Sequence, residues 1–172
     1  MALSRRRTAP FAVLLTVLAA VTVSPQPAAA ATDRYRITNK LSGKCLTIWG
    51  DGNGAAITQM TCNSADTAQW WYLDLNGTGT IRNQRIDKCL DLWDAGSANG
   101  QMVFTYGCRN DGFSGQRWRT VNKGGQYWEI RSYATDKCLD LAADNRANGA
   151  VIQQWGCNWG ANDNQQWRIT TS

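Results

Sequence analysis

The amino-acid sequence predicts an all-β domain built from three copies of one unit. A segment that begins with cysteine recurs at Cys45, Cys89 and Cys138, at spacings of 44 and 49 residues. No stretch after residue 31 has the apolar periodicity of a helix. Instead, short runs rich in β-branched and aromatic residues alternate with turn residues, which include many of the 16 glycines. Four short strands in each repeat predict about twelve strands.

Residues 1–31 have the features of a secretion signal. Three arginines at positions 5–7 precede an apolar run from Phe11 to Val23, and the small residues Ala28 to Ala31 follow. The apolar run is too short to span about 30 Å of hydrocarbon as a helix, so a membrane anchor is disfavoured. We therefore expect removal of residues 1–31, an extracellular location and a folded domain over residues 32–172.

The charge balance of residues 32–172 restricts the class of partner. This segment has 15 basic and 13 acidic side chains, because the signal segment carries three of the 18 basic residues of the full chain. So small an excess of positive charge does not favour nucleic acid or an anionic membrane as a partner. The segment is long enough for one domain with a core of its own, and we expect a monomer.

Each repeat contains four short motifs in the same order. In the third repeat they are Cys138–Asp140, the turn Asn148–Gly149, Trp155–Cys157 and Gln165–Trp167. The same order places repeats at about 35–77, 78–124 and 125–172. The corresponding motifs are Cys89–Asp91, Asn99–Gly100, Tyr106–Cys108 and Gln116–Trp118 in the second repeat, and Cys45–Thr47, Asn53–Gly54, Met60–Cys62 and Gln69–Trp71 in the first.

Six cysteines in an exported chain indicate a disulfide framework. Six cysteines allow 15 connectivities, and the repeats single out the one in which each bridge stays within its repeat: Cys45–Cys62, Cys89–Cys108 and Cys138–Cys157. Each short bridged loop contributes about 3 kcal/mol by the loop-entropy estimate. A zinc site is disfavoured because the chain has no histidine and no Cys-x-x-Cys pair, and no metal or cofactor is expected.

The spacing within each repeat also predicts which residues face each other. Directly opposed residues of an antiparallel hairpin have a constant sum of residue numbers. Cys138 with Cys157 and Asp140 with Trp155 both sum to 295. We therefore expect Asp140 opposite Trp155, on the same face as the cysteines. The same argument pairs Asp91 with Tyr106 and Thr47 with Met60.

A repeat of this length is also typical of propeller blades, but three blades are too few to close a propeller. A closed barrel capped by hairpins accommodates three four-stranded units without exposed strand edges. The three Gln-x-Trp motifs, combined with the repeated Cys-Leu segments, resemble the ricin B-chain type of β-trefoil lectin. This domain type also occurs as a carbohydrate-binding module of secreted bacterial glycosidases. The resemblance implies a six-stranded barrel with a three-hairpin cap, pseudo-threefold symmetry and up to three shallow sites for galactose- or xylose-type sugars in glycans or polysaccharides.

The resemblance assigns roles to residues of the third repeat. Asp140 accepts hydrogen bonds from two sugar hydroxyls, and Trp155 stacks on the apolar face of the sugar. Gln153, Asn164 and Gln165 complete a polar rim. The tryptophans that end the Gln-x-Trp motifs are expected in the core: Trp71, Trp118 and Trp167.

The other two repeats match this pattern less well. In the second repeat Asp91, Tyr106 and Gln116 match, but Phe104 replaces Gln153 and Gly115 replaces Asn164, which predicts a weaker or differently selective site. The first repeat has other residues at every diagnostic position and is expected to bind no sugar. These residues are Thr47, Thr58, Met60 and Ala68.

Two other classes of function compete with sugar binding. An enzyme is disfavoured because no histidine is available for a triad, and Glu129 is the only glutamate. No isolated carboxylate pair stands out for glycoside hydrolysis either. A trefoil that blocks proteases with a loop, or another protein-binding trefoil, is the alternative; protease-inhibiting trefoils lack the Gln-x-Trp motif.

Overall fold

The chain folds into short antiparallel strands and single 3₁₀ turns. The computed structural model describes residues 33–75, 77–158 and 163–171, all within one compact unit, Ala31–Ser172. The predicted signal segment lies outside the described residues. No helix in these described ranges is long and apolar enough to cross a membrane.

The strands are β1 (Arg34–Asn39), β2 (Cys45–Trp49), β3 (Ala56–Met60), β4 (Trp70–Tyr72), β5 (Thr78–Gly79), β6 (Arg82–Asn83), β7 (Lys88–Leu92), β8 (Gln101–Gly107), β9 (Trp118–Asn122), β10 (Tyr127–Ser132), β11 (Cys138–Leu141), β12 (Ile152–Trp155) and β13 (Trp167–Thr171). The 3₁₀ turns are Thr67–Gln69, Trp93–Ala95, Ser114–Gln116, Ala142–Asp144 and Asp163–Gln165.

Six strand positions close into a barrel. β1 pairs with β4 and β13, β10 pairs with β13 and β9, β9 pairs with β5, and β4 pairs with β6. β5 and β6 are two halves of one interrupted strand between β4 and β9, so the described residues contain thirteen strands instead of the predicted twelve. The all-β class is confirmed, and the ring has no free edge that would need protection.

Three hairpins cap this barrel. They are β2–β3, β7–β8 and β11–β12. Their second strands also pair with each other, so the cap closes around the pseudo-threefold axis as the barrel does. The linking pairs are Ala56 with Phe104, Met102 with Gln153 and Thr58 with Val151.

The three predicted core tryptophans are buried at equivalent positions. Trp71, Trp118 and Trp167 are at most 2% exposed. Burial of an indole also requires a partner for its N–H. Each Nε1–H donates to the carbonyl oxygen of the leucine that follows the first cysteine of its repeat: Trp71 to Leu46 at 3.1 Å, Trp118 to Leu90 at 3.1 Å and Trp167 to Leu139 at 3.0 Å. Their place in the core is confirmed.

The three disulfides are those that the repeats predict, but the hairpin register differs from the prediction by two residues. The bridges join Cys45 to Cys62, Cys89 to Cys108 and Cys138 to Cys157. Asp140 lies directly opposite Gln153, and Trp155 lies opposite Cys138. The same shift places Asp91 opposite Phe104 and Thr47 opposite Thr58. The predicted pairs Asp140 with Trp155, Asp91 with Tyr106 and Thr47 with Met60 are therefore wrong.

The end of the strand explains this shift. β12 ends at Trp155, so Cys157 reaches back to Cys138 from beyond the ladder instead of facing it. Because side chains alternate with a period of two, a shift of two residues keeps every side chain on its face. Asp140 and Trp155 are therefore diagonal neighbours on one face of the hairpin, still within reach of each other.

The Asn-Gly turns fasten each hairpin to the neighbouring repeat. Gly54, Gly100 and Gly149 have φ of 80°, 81° and 82°, values that favour glycine. Their N–H groups donate to the carbonyl oxygens of Thr105, Gln154 and Gln59. The preceding asparagines accept with Oδ1 from backbone N–H groups of the same neighbouring repeat: Asn53 from Gly107 at 3.0 Å, Asn99 from Gly156 at 3.0 Å and Asn148 from Thr61 at 2.9 Å.

Candidate functional sites

The third repeat forms a shallow depression on the outer face of its hairpin. Its volume is about 410 Å³. We call it the third-repeat site, and it is lined by Asp140, Ala142, Ala143, Asp144, Gln153, Trp155 and Asn164. Four of the five predicted residues of this repeat line it; Gln165 is the exception. The turn Ala142–Asp144 follows β11 directly and supplies a wall of the site that was not predicted from the sequence.

Asp140 is a buried carboxylate held by three amides. Only 3% of its surface is exposed. Oδ1 accepts from Gln153 Nε2 at 2.9 Å, and Oδ2 accepts from Asn164 Nδ2 and Gln165 Nε2, both at 2.9 Å. A carboxylate offers about four acceptor positions, so about one remains for a ligand hydroxyl. Acceptance from two hydroxyls, as the resemblance implies, requires the half-buried Gln153 to turn away.

Burial changes the proton affinity of this carboxyl. Desolvation raises the pKa of Asp140, and the hydrogen bonds from Gln153 and Gln165 offset part of this effect. The charge of Asp144 raises the pKa further. A carboxylate that is buried and pre-oriented in this way is costly to the fold, which favours a role in binding over one in stability.

Gln165 lies behind the carboxylate and not on the rim. It is 1% exposed. Its Oε1 accepts from the N–H of Asn158 at 3.0 Å, and Nε2 donates to the carbonyl oxygen of Gly156 at 3.1 Å as well as to Asp140. Gln165 therefore closes the loop after Cys157 and fixes the direction in which Asp140 points.

The side-chain amide of Asn164 lies at the wall of the third-repeat site. Its Nδ2 is committed to Asp140 Oδ2 and to the carbonyl oxygen of Leu141 at 3.2 Å. Its Oδ1 is buried, and no partner for this atom is found within the described segments. A buried acceptor without a partner costs about 1–3 kcal/mol, a cost that a hydroxyl donated by a ligand would remove.

Trp155 is half-exposed and is supported by the second repeat. It is 44% exposed. A Cβ on Gly100 would lie 3.6 Å from Trp155 Cζ3, so the turn of the neighbouring repeat packs against the ring. Asn99 accepts from the N–H of Gly156, the residue after Trp155. The repeated Asn-Gly was the signal for this contact, although from the sequence alone it predicted only a hairpin turn.

The second repeat forms a depression of about 420 Å³ at the equivalent place. We call it the second-repeat site, and it is lined by Gly54, Asp91, Trp93, Asp94, Phe104, Tyr106, Arg109 and Phe113. Two of the predicted residues, Asp91 and Tyr106, line it, and Tyr106 is 42% exposed. Trp93, Arg109 and Phe113 were not predicted, and their side chains make this site more aromatic than the third-repeat site.

Asp91 has fewer partners than Asp140. Its Oδ2 accepts from Gln116 Nε2 at 2.7 Å. Phe104, the residue opposite Asp91 in the hairpin, cannot donate a side-chain hydrogen bond, and no side-chain donor to Oδ1 is found in the described part of the chain. Burial raises the pKa of Asp91, and Gln116 and Arg109 offset part of this effect. Gln116 is 1% exposed and closes the loop after Cys108, as Gln165 does in the third repeat.

Gly115 explains why the second-repeat site lacks an amide at the position of Asn164. A Cβ on Gly115 would lie 2.6 Å from the ring of Phe113 and 2.8 Å from the carbonyl oxygen of Leu92. Phe113 therefore occupies the space that an asparagine side chain would need. Arg109 stacks over the same ring at 4.3 Å.

The first repeat has a glutamine, Gln69, equivalent to the loop-closing glutamines Gln116 and Gln165, but it has no aspartate at the position of Asp91 and Asp140. Gln69 accepts from the N–H of Asn63 at 2.9 Å and donates to the carbonyl oxygen of Thr61 at 3.2 Å. Thr47, at the position of the acids, is 2% exposed and donates to the carbonyl oxygen of Ala68 at 3.5 Å. The glutamine therefore has a structural role in all three repeats and a second role only where an aspartate is present.

One cluster of possible metal ligands occurs among the described residues. Glu129 lies near Cys138 and Cys157, but these two cysteines are bridged and offer no thiolate. Glu129 accepts from Arg131 at 2.6 Å, and both side chains are buried. This buried ion pair is a structural feature of β10.

Comparison with known proteins decides the family. The profile of the ricin-type beta-trefoil lectin domain matches residues 33–167. The chain belongs to this family. Among curated proteins, no relative matches the chain. The ricin-type trefoil frame explains why two of the repeats place an aspartate beside an exposed aromatic ring, and membership identifies the chain as a lectin-type domain for carbohydrate binding.

Solved structures give the same fold. ThreeFoil, a designed threefold symmetric protein, matches with a TM-score of 0.72 at 29% identity over 79% of this chain and 96% of its own. An exo-beta-1,3-galactanase from Clostridium thermocellum matches with a TM-score of 0.75 at 29% identity over 83% of this chain but only 31% of its own. The C-half of an earthworm R-type lectin in complex with GalNAc matches with a TM-score of 0.62 over 81% of this chain and 99% of its own. At 22% identity, this last likeness shows the fold alone.

Proposed function

We propose that the chain is an exported lectin that binds galactose- or xylose-type sugars of glycans or polysaccharides. The third-repeat site is the principal site, and the second-repeat site is weaker for single sugars. One observation carries the proposal: Asp140 is buried, oriented by three amides and placed beside the half-exposed ring of Trp155. The proposal includes removal of residues 1–31 and action as a monomer.

The chemistry of a pyranose matches this arrangement. A pyranose has an apolar C–H face and a row of hydroxyls, so its site needs a flat aromatic ring and fixed polar groups. Trp155 supplies the ring. The remaining acceptor position of Asp140 and the unpaired Oδ1 of Asn164 are two neighbouring acceptors for two hydroxyls. Gln153 can donate or accept at the rim.

The proposed role is binding without catalysis. Glycoside hydrolysis needs two carboxyl groups on opposite sides of the scissile bond, one of them able to donate a proton. Three amide donors occupy the oxygens of Asp140 as hydrogen-bond acceptors and offset part of the increase in its pKa that burial causes. Asp144, the nearest acid of the same site, lies on the wall formed by the turn after β11.

A single site of this kind is weak. Shallow monosaccharide sites commonly have a Kd near 1 mM, about −4 kcal/mol. Retention on a polymer therefore depends on two sites that engage one chain or surface together. The second-repeat site supplies the second contact.

A glycan array combined with pull-down on insoluble xylan, arabinan and galactan tests the proposal. The unmutated protein should bind a defined group of galactose- or xylose-containing ligands, and Trp155→Ala should lose most of this binding. Asp51→Asn is a control, because Asp51 is an exposed residue of the first repeat. Absence of binding to every glycan, with tight binding to a protease instead, would contradict the proposal and favour an inhibitory trefoil.

A further inference from the structure

The second-repeat site continues into a neighbouring depression. This second depression has a volume of about 520 Å³ and is lined by Gly54, Trp93, Gln101, Met102 and Phe104. It shares Gly54, Trp93 and Phe104 with the second-repeat site. The two depressions therefore form one groove, which we call the extended groove.

The extended groove follows one face of β8. Side chains alternate along a strand, so Met102, Phe104 and Tyr106 lie on the same face, and Asp91 lies directly opposite Phe104. Four residue steps of a strand span about 13 Å, which is more than a single pyranose needs. Met102 pairs directly with Gln153, so the groove runs from Asp91 toward the third-repeat hairpin.

The third repeat carries other residues at the equivalent positions. Ala142 occupies the place of Trp93, and Gln153 occupies that of Phe104. Trp93 is 64% exposed and Met102 is 37% exposed. Exposed apolar surface of this kind, continuous with a polar group that can accept hydrogen bonds, marks a binding surface more often than a structural one.

The loop that carries Trp93 is held in place. Gln101 Nε2 donates to the carbonyl oxygen of Trp93 at 2.6 Å, and Gly96 N–H donates to the same oxygen at 3.2 Å. The ring of Trp93 is thus presented on a fixed turn, which lowers the entropy lost when a ligand binds.

We propose that the second-repeat site binds an oligosaccharide of at least two pyranose units and so selects for chain length, while the third-repeat site holds a single sugar. One unit is bound by Asp91 and stacks on Tyr106. The next unit lies across Phe104 and Trp93 toward Met102, with its C–H face on these apolar side chains. This inference rests on the proposed function, because the carboxylate of Asp91 anchors the chain.

Titrations in the Trp155→Ala background test the inference, because this background removes the stacking ring of the third-repeat site. The probes are galactose, β-1,3-galactobiose, xylose and xylobiose. These probes form a galactose pair and a xylose pair. In the pair that the protein binds, the affinity for the disaccharide should be at least about tenfold higher than that for the monosaccharide, a gain of about 1.4 kcal/mol. Adding Trp93→Ala should reduce this ratio to about twofold or less. Adding Tyr133→Ala should leave it unchanged, since Tyr133 is an exposed ring that lines neither depression.

The indole N–H signal of Trp93 in NMR spectra is a second readout that needs no substitution at Trp93. It should shift with the disaccharide more than with an equally saturating monosaccharide. The inference would be overturned if the ratio of disaccharide to monosaccharide affinity were the same with and without Trp93→Ala, or if the Trp93 signal did not respond to the disaccharide. In either case, binding of a monosaccharide would still support the proposed function. If none of the four sugars binds even the unmutated chain, the proposed function and the inference fail together. Binding of an apolar peptide at the groove in place of any sugar would also overturn the inference.

Discussion

At the scale of single residues, two buried aspartates distinguish the sites from the rest of the hairpin cap. Residue type and spacing predicted that Asp140 and Trp155 share one face of the hairpin, and both line the depression of the third repeat. They did not reveal that Asp140 is 3% exposed and that Gln165 is 1% exposed. Burial depends on the turn Asp163–Gln165 packing against β11, a contact between segments that are separated in sequence.

Asp140→Asn should remove sugar binding without loss of stability at neutral pH. An asparagine can keep Oδ1 toward Asn164 and Gln165 while its Nδ2 donates to the carbonyl oxygen of a flipped Gln153. We expect affinity for a monosaccharide to fall by at least about tenfold, about 1.4 kcal/mol. Calorimetry or an NMR titration measures the affinity, and an unchanged affinity would exclude Asp140 as the hydroxyl acceptor.

The same variant should change how stability depends on pH. A carboxyl with a pKa that is higher in the folded chain than in the unfolded chain adds stability below the unfolded pKa and loses it as pH rises through the folded pKa. Burial raises the pKa of Asp140. The free energy of unfolding of Asp140→Asn, relative to that of the unmutated chain, should therefore increase as the pH rises from about 3 to neutral, past the ordinary aspartate pKa of about 3.9. Melting temperatures across this range test the sign, and a relative decrease would contradict it.

At the scale of elements, the loop-closing glutamine and the Asn-Gly turn hold the sites together. The Gln-x-Trp motif predicted the core tryptophan correctly, but only the structure separates the two roles of its glutamine. The predicted register of each hairpin was wrong by two residues, because the second cysteine of each disulfide lies beyond the end of its strand. The contact of Gly100 with Trp155 could not be predicted because it joins different repeats, whereas the motifs recur within single repeats.

Gln165→Ala and Gln69→Ala should have similar effects on stability and different effects on binding. Each substitution leaves a backbone N–H and a carbonyl oxygen of the closed loop without their partner, which should lower the free energy of unfolding by about 1–3 kcal/mol. Only Gln165→Ala should also weaken sugar binding, by several-fold, because only Gln165 orients an aspartate. Equal weakening by both variants would mean that general destabilisation causes the loss.

Asn99→Ala should weaken binding at the third-repeat site although Asn99 belongs to the second repeat. It removes the hydrogen bond to the N–H of Gly156 and loosens the turn behind Trp155. Asn148→Ala is the matched control, since Asn148 makes the equivalent bond to Thr61 in the first repeat. Monosaccharide titrations of both variants should show a loss for Asn99→Ala alone. A loss of the same size for Asn148→Ala would remove the case for support between repeats.

At the scale of the whole molecule, three repeats share one backbone arrangement but carry different side chains at the equivalent surface positions. The frame was predictable because cysteines, Asn-Gly turns and Gln-x-Trp motifs recur in the same order. The interruption between β5 and β6 was not predictable, because the segment from residue 78 to residue 83 still resembles a single short strand. The character of each site follows from side chains on the common frame: polar in the third repeat, aromatic in the second, and without an acid in the first.

Retention on a polysaccharide should depend on both sites more strongly than the binding of a single sugar does. Asp91→Asn should leave the monosaccharide affinity of the third-repeat site unchanged but reduce retention on the insoluble polysaccharide by about tenfold or more, because the contribution of a second linked contact is lost. Asp51→Asn is the control, as an exposed aspartate paired with Arg85. Retention by Asp91→Asn equal to that of the control would show that one site acts alone.

A titration with galactose and xylose, followed by NMR, tests the central claim most directly. Trp155→Ala is compared with Trp49→Ala, which removes an exposed tryptophan (63%) of the first repeat. In the unmutated chain the indole signal of Trp155 should shift on titration. Trp155→Ala should lower the affinity by at least about tenfold, whereas Trp49→Ala should leave it unchanged. Equal affinities of the unmutated chain and Trp155→Ala, or a loss as large in Trp49→Ala, would contradict the account of the third-repeat site.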